Sequence, residues 1–283
     1  MILYHAPGGG LGHISRGISI MKELGVPLKK YILTCSKNDY LNFFLNYGIN
    51  LIPFTEENPI KIANNIEDIL TKYPIKEIFV DTFPAGLLGE LLLLKINQPK
   101  TLICRILNID IYLNDIINLS EKYTFPFYNK VYFIEPLNIE YLNYLNSRGY
   151  NPIYIPINPL NLSHNKIRYD KPYYLVSHTG DLSELEALII LAEEYSKNEF
   201  FQGKILISSN RKISNSDYDC IFEYPISPYY EKADKIFTGC GFNSLNELKN
   251  VKEKHYCIPF PRRYDNQFYR RKGYLNFSTN KDL

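Results

Sequence analysis

The sequence predicts an α/β chain of two doubly wound parallel-sheet domains facing a cleft. Three observations predict it. Short apolar runs alternate with helically spaced apolar residues along the chain, the βαβα rhythm of a parallel sheet covered by helices on both faces. The rhythm breaks between Asn151 and Pro172, where Pro152, Pro156, Pro159 and several asparagines interrupt it. The length, 283 residues, also suits two domains of about 100–200 residues each. The expected division is 1–155, a linker at 156–171, and 172–283.

The elements follow in order. Ile2–Ala6 reads as a buried strand, and Ile14, Ile18, Met21 and Leu24 carry helical spacing closed by Gly25. Tyr31–Thr34 is the next strand, and Tyr40, Phe43, Phe44 and Tyr47, closed by Gly48, form the next helix. Leu51–Phe54 (strand), Ile60–Leu70 (helix), Ile78–Asp81 (strand), Ala85–Leu94 (helix) and Thr101–Ile106 (strand) continue the series. After the break come a strand at Tyr173–Val176, a helix at Leu182–Tyr195 and a strand at Lys204–Ile207. A strand at Lys235–Phe237, a short helix at Ser244–Val251 and a strand at His255–Pro259 complete it.

Composition excludes several classes. The net charge of +2 is far from the strongly basic balance of a protein that binds nucleic-acid phosphates, so no stable nucleic-acid partner is expected. With 25 Tyr, 16 Phe and 45% hydrophobic residues the chain is not disordered. Cys35, Cys104, Cys220, Cys240 and Cys257 form no C-x-x-C or C-x-x-H pair, which leaves a zinc site and a disulfide framework without support. The N-terminus lacks the pattern of a signal peptide, and the most apolar stretch, Leu87–Ile96, is about half of what a bilayer requires. The expectation is a soluble, cytoplasmic protein with no transmembrane segment, and its oligomeric state is not readable.

Ligands of open α/β sheets collect at the carboxyl ends of strands, so three strand-to-helix turns are the candidate sites. The first, Gly8-Gly9-Gly10-Leu11-Gly12-His13-Ile14-Ser15-Arg16, lets backbone approach a ligand closely and aims N–H groups at an anion. It lacks the glycine spacing of a dinucleotide fingerprint and the G-K-[ST] of a phosphate loop. His13 is either a proton acceptor for an attacking hydroxyl or a half-buried capping histidine. The second turn is Thr238-Gly239-Cys240-Gly241-Phe242-Asn243-Ser244-Leu245-Asn246-Glu247. Here Ser244-x-x-Glu247 reads as a capping box or as a carboxylate for sugar hydroxyls. The third, Pro259-Phe260-Pro261-Arg262-Arg263-Tyr264-Asp265-Asn266-Gln267, stiffens a loop with proline and ends at a helix start. Asp265 is then an N-cap or, with its amide neighbours, a polyol contact. Arg262 and Arg263, with Arg270, Arg271 and Lys272 nearby, either face a diphosphate or form a solvated basic face.

Together these turns resemble the GT-B-fold nucleotide-sugar enzymes, two Rossmann-like domains, and most closely the family-28 glycosyltransferases. Gly10-x-Gly12-His13 with Arg16 resembles the N-terminal loop of that superfamily. Ala233-Asp234-Lys235, then Gly241-x-x-Ser244-x-x-Glu247, resembles the donor-domain motif. Pro259-Phe260-Pro261 followed by Asp265-Asn266-Gln267 resembles the loop that holds the donor sugar. The resemblance implies an acceptor-side first domain and a nucleotide-sugar-binding second domain. It implies that Glu247 binds ribose hydroxyls of a uridine nucleotide, that Gly241, Phe242, Asn243 and Ser244 line the diphosphate, and that Asp265 and Gln267 contact the sugar. Thr179 and Gly180 fall where the family has a Gly-Gly-Ser phosphate turn, although this chain has Ser177-His178-Thr179-Gly180 there. His13 matches the family histidine, and Asp81 is a second acid/base candidate or, with Pro84 following, a helix N-cap.

The implied reaction is a metal-independent, inverting transfer from a UDP-sugar to an unspecified acceptor, with no cofactor. No Asp-x-Asp stands at a strand end to hold a divalent ion. The short stretch of 16 residues after Gln267 also resembles the UDP-sugar hydrolase of pseudaminic acid synthesis, which carries Gly-x-Gly-His-Ile-x-Arg like Gly10-Leu11-Gly12-His13-Ile14-Ser15-Arg16. Hydrolysis, and non-catalytic binding of a nucleotide sugar, are the alternative expectations.

Overall fold

A computed structural model of the chain describes residues 1–8, 11–37, 41–45, 47–55, 58–160, 169, 171–211, 213 and 218–279. It divides into two compact units. Unit 1 is Met1–Asn158 with Arg262–Asn266, and unit 2 is Pro159–Pro261 with Gln267–Leu283. The first three residues after Pro261 and the two that follow them thus pack with the first half of the chain.

Unit 1 holds strands β1 (Ile2–Ala6), β2 (Tyr31–Ser36), β3 (Leu51–Phe54), β4 (Glu77–Asp81), β5 (Lys100–Cys104), β6 (Lys130–Phe133) and β7 (Ile153–Tyr154). Its helices are α1 (Leu11–Glu23), α2 (Leu41–Leu45), α3 (Pro59–Lys72), α4 (Ile109–Asp115), α5 (Ile117–Ser120) and α6 (Ile139–Ser147). The strands form one parallel sheet in the order β3-β2-β1-β4-β5-β6-β7. Central strands are apolar on both faces because helices cover both. Leu3, Ile32, Ile78, Val80 and Leu102 pack with Ile62, Ile66 and Ile69 of α3. The start of α3 is set locally: Asn58 accepts the Ile60 N–H at 2.9 Å, and Pro59 occupies the first turn. Helix α1 lies close over the sheet at Gly17, where a Cβ would meet Leu33 at 2.8 Å and Tyr4 at 2.9 Å.

Unit 2 holds β8 (Tyr173–Ser177), β9 (Lys204–Ser208), β10 (Asp219–Ile221), β11 (Lys235–Gly239) and β12 (His255–Ile258), with α7 (Leu182–Asn198), α8 (Phe242–Glu247) and α9 (Gln267–Thr279). Its parallel sheet runs β10-β9-β8-β11-β12. The period-2 alternation of β8 divides the core. Tyr174 and Val176 pack with Leu185, Leu188 and Ala192 of α7, while Tyr173 and Leu175 pack with Tyr229, Tyr230, Ile236 and Leu248.

Ala85–Leu94 is not the helix its apolar pattern predicts. Gly86 and Gly89 adopt left-handed φ of 83° and 80°, and only a 3₁₀ turn, Glu90–Leu93, forms. The buried Glu90 carboxylate takes the place of helical bonds by accepting the N–H groups of Leu87 (3.1 Å) and Leu88 (2.8 Å). It also lies 2.8 Å from Nε2 of the buried His5, whose Nδ1 meets Thr34 Oγ1 at 2.9 Å. A Cβ on Gly86 would stand 2.2 Å from that carboxylate, which fixes glycine there. The region after Ile106, for which the apolar pattern predicts no element, carries α4, α5, β6 and α6. Among the described residues no helix is long and apolar enough to cross a membrane.

Candidate active site

In each sheet the connections from two neighbouring central strands leave in opposite directions, opening a crevice at the strand carboxyl ends. In unit 1 these strands are β1 and β4. Asp81 ends β4, and His13 stands in the first turn of α1, immediately after the loop from β1. The sheet order brings the two together across 68 residues of sequence: His13 Nδ1 lies 2.6 Å from Asp81 Oδ2. Asp81 is completely buried, and its other partners are basic or phenolic. Arg16 donates from Nε to Oδ1 at 2.9 Å and from Nη2 to Oδ2, and the Tyr4 hydroxyl donates to Oδ1 at 3.1 Å.

These contacts set the protonation states. Burial alone would raise the Asp81 pKa, but the charge of Arg16 and the hydrogen bonds from His13 and Arg16 outweigh it and hold the carboxyl well below the usual range. For His13, burial and the Arg16 charge lower the pKa, and Asp81 offsets only part of this. At neutral pH the pair is therefore a carboxylate beside a neutral imidazole. A proton on Nδ1, donated to Asp81, is the tautomer consistent with the 2.6 Å contact, and it leaves Nε2 with its lone pair. Arg16 Nη2, 2.9 Å from the same Nδ1, is satisfied by Asp81 and Thr82. Nε2 lies against Gly8, where a Cβ would stand 2.5 Å away. Glycine at position 8 is thus required by the approach of the ring. The His13 side chain stays 14% exposed.

Around this core, Phe83 stacks on His13 with centroids 6.4 Å apart, and Tyr264 meets Phe83 edge-on at 5.5 Å. Asn108 N–H donates to Tyr264 O at 2.9 Å, its side-chain amide donates to Arg263 O at 3.1 Å, and Arg263 pairs with Asp115. Asp265 is not the N-cap that its sequence context suggests. Helix α9 begins at Gln267, and the Asp265 carboxylate instead meets Arg105 Nη1 at 3.2 Å. Arg105 Nε in turn donates to Thr82 Oγ1 at 3.2 Å. Asp265 therefore joins, through Arg105 and Thr82, the cluster that holds His13. Arg262 and Asn266 flank it in the same unit. Asp81 does not cap a helix either, because the segment behind it is the Glu90-held turn. Gly12 lies inside the first turn of α1, and Gly10 falls outside the described residues.

In unit 2 the crevice strands are β8 and β11. The turn after β8 carries His178, the exposed Thr179, and Gly180. His178 Nε2 lies 2.8 Å from Glu184 Oε2 on α7, and its ring packs on Phe260 with centroids 5.3 Å apart. Both flanking glycines make room for that ring: a Cβ would stand 2.4 Å from His178 Nε2 at Gly180, and 3.3 Å from its Cε1 at Gly239. The turn after β11 is held by Arg270, which donates to Cys240 O at 3.2 Å. The predicted capping box does not form. Gly241 is the N-cap of α8, which places Phe242, Asn243 and Ser244 in the first turn and Glu247 at the last residue. Glu247 accepts from the Tyr230 hydroxyl at 3.0 Å, and burial pushes its pKa up to about 7 against that hydrogen bond. Gln267 is buried, and its Oε1 accepts the Phe260 N–H at 3.0 Å, closing the loop between them.

Tyr4, Thr82 and Arg105 belong to the cluster but lie outside the sequence motifs. Arg105 carries a usable signal, a charged residue just past a strand end, whereas nothing in the sequence marks Thr82. Among the described residues no group of three or more His, Cys, Asp or Glu could hold a metal ion.

No family model and no curated protein matches the sequence. Solved structures do match the fold. The glycotransferase of kitacinnamycin superimposes with a TM-score of 0.64 at 11% identity, covering 98% of this chain and 84% of that one. The glycosyltransferase SsfS6 of Streptomyces sp. SF2575, complexed with thymidine diphosphate, gives 0.58 at 11% identity over 98% and 85%. The UDP-N-acetylglucosamine 2-epimerase of Rickettsia bellii gives 0.57 at 10% identity over 94% and 81%. The chain thus has the GT-B fold of two Rossmann-like α/β units, the fold of these glycosyltransferases.

Proposed function

We propose that this protein is a metal-independent, inverting glycosyltransferase that uses a UDP-sugar. The observation that carries the reading is the His13–Asp81 pair at the crevice of unit 1: a buried carboxylate orients a neutral imidazole whose Nε2 can accept a proton. His13 removes the proton from the acceptor hydroxyl as that oxygen attacks the anomeric carbon, and the nucleoside diphosphate departs from the opposite side, inverting the centre. The pKa of His13, lowered from that of a free imidazole, keeps it in the basic form at neutral pH. The fold shared with glycosyltransferases, one of them complexed with thymidine diphosphate, supports a nucleotide-sugar donor.

Unit 2 supplies the donor contacts in this reading. The N–H groups of the Gly241–Ser244 turn, with Thr179 and Gly180, take the diphosphate as charge builds on it. Glu247 takes the ribose hydroxyls, whose donation favours its carboxylate form. Gly10 and Gly12 bring backbone close to the substrate, and Arg262, Asp265, Asn266 and Gln267 bear on the sugar and its leaving group. Metal independence is supported by the saturation of Asp81, whose oxygens already serve Arg16, His13 and Tyr4.

The same Nε2 would serve a water molecule, so hydrolysis of the UDP-sugar is the second reading. A calorimetric screen of nucleoside diphosphates and their sugars, followed by a UDP-release assay with and without acceptor sugars, tests both. Binding of UDP in preference to ADP or GDP, with release that depends on acceptor, is expected. Full-rate release without acceptor would favour hydrolysis. A preference for ADP or GDP would overturn the UDP assignment. Binding without release across the whole panel, unaffected by His13→Ala, would leave a nucleotide-sugar-binding protein.

A further inference from the structure

We propose that Thr82 is the positioning residue of the unit 1 site: its hydroxyl, set by a left-handed backbone, holds Arg16 and Arg105 in place around the Asp81–His13 pair. Thr82 has φ of 70°, a left-handed region that β-branched residues rarely enter. The surroundings enforce it. The Phe83 N–H bonds back to Asp81 O at 2.8 Å, a three-residue γ-turn centred on Thr82. The Thr82 N–H donates to Ile103 O at 2.8 Å, and the Tyr141 hydroxyl donates to Thr82 O at 3.3 Å. The residue is completely buried.

A glycine would meet this backbone without strain, so the backbone alone does not explain threonine. The side chain does. Oγ1 accepts from Arg105 Nε at 3.2 Å and from Arg16 Nη2 at 3.4 Å. Two guanidinium groups repel, and a neutral acceptor shared by both lets them stand side by side, with Asp81 and Asp265 as their counter-charges. The charged and titratable groups bearing on His13 are Asp81 from β4, Arg16 from α1 and Arg105 from beyond β5. Tyr4 on β1 acts through Asp81, Asp265 through Arg105, and Glu135, after β6, through Arg16. Burial and the two arginines keep His13 in its neutral form, and Thr82 Oγ1 is the acceptor that both arginines share.

The proposal deepens the reading of His13 as the base and rests on that reading for its catalytic meaning. Its test is independent of any substrate: an NMR titration of the His13 ring, with the Arg105 Nε–H signal, in wild type, Thr82→Ser, Thr82→Val and Thr82→Gly. In wild type and Thr82→Ser, His13 should titrate below the free value of about 6.5, with Arg105 Nε–H protected from solvent exchange. In Thr82→Val and Thr82→Gly, the titration should move up towards that value and the Nε–H should exchange freely. Thr82→Gly suits the backbone, so it carries the test should Thr82→Val fail to fold. Wild-type behaviour in Thr82→Gly would overturn the proposal. Absence of UDP-sugar turnover in the wild type would instead overturn the catalytic reading and leave this titration as it stands.

Discussion

Both units place a histidine and a carboxylate at the crevice of the sheet, yet the two pairs are built differently. In unit 1 the carboxylate is the last residue of a central strand, wholly buried and gripped by Arg16, Tyr4 and His13. In unit 2 the carboxylate is Glu184 on the first turn of α7, itself 13% exposed, and two glycines clear space around the histidine. The first arrangement spends its hydrogen bonds on orienting one nitrogen. The second sets its histidine between two glycines and pairs it with a carboxylate on a helix rather than at a strand end. In the function proposed above, preorganisation of a reacting group and accommodation of a substrate call for opposite packing, and the same topology would support both.

Variants separate the two arrangements. The largest effect is expected for Asp81→Asn, which leaves Arg16 buried without its counter-charge. Loss of one partner of a buried pair costs about 3–5 kcal/mol, measurable by urea denaturation, and turnover should fall with it. His13→Ala should lower UDP release by about 10²–10⁴-fold, the usual worth of a general base, with UDP affinity unchanged by calorimetry.

In unit 2, Glu247 is held protonated up to about pH 7 in the folded chain, against 4.5 for a free carboxyl. Its folded pKa is raised, so the stability it contributes is complete below 4.5 and is lost as pH rises towards 7. Relative to Glu247→Gln, which does not titrate, the wild type should lose about 3 kcal/mol across that window, read from denaturation midpoints at several pH values. His255 runs the other way. Burial lowers its pKa to about 4, so its neutral form favours folding and stability is lost as pH falls from about 6.5 to 4. The smallest effect is expected at Ser244. Because Gly241 caps α8, Ser244→Ala should stay within about 0.5 kcal/mol, against about 1 kcal/mol for a true cap.

Much of the architecture is legible in the sequence because parallel strands buried on both faces read as unbroken apolar runs. Ile2–Tyr4 and Ile78–Val80 are examples. The failure at Ala85–Leu94 has a physical source, since helical spacing of leucines is indifferent to a single glutamate that captures the N–H groups of Leu87 and Leu88. His13 and Asp81 are each visible as candidates at strand ends, but their pairing follows from β1 lying beside β4, which depends on sheet order. The association of Asp265 with unit 1 is likewise a tertiary fact: the loop stands 155 residues from Asn108, to which its backbone bonds. Thr82 was illegible because left-handed backbone at a β-branched residue leaves no mark on composition or period.

In the proposed mechanism His13 is a base preset by Asp81. Nitrogen-15 NMR of the histidine rings, with His13 assigned by mutation, tests it most directly. A neutral ring at pH 7, with the proton on Nδ1 and a bare Nε2, is expected. A proton on Nε2, or an imidazolium at that pH, would contradict it.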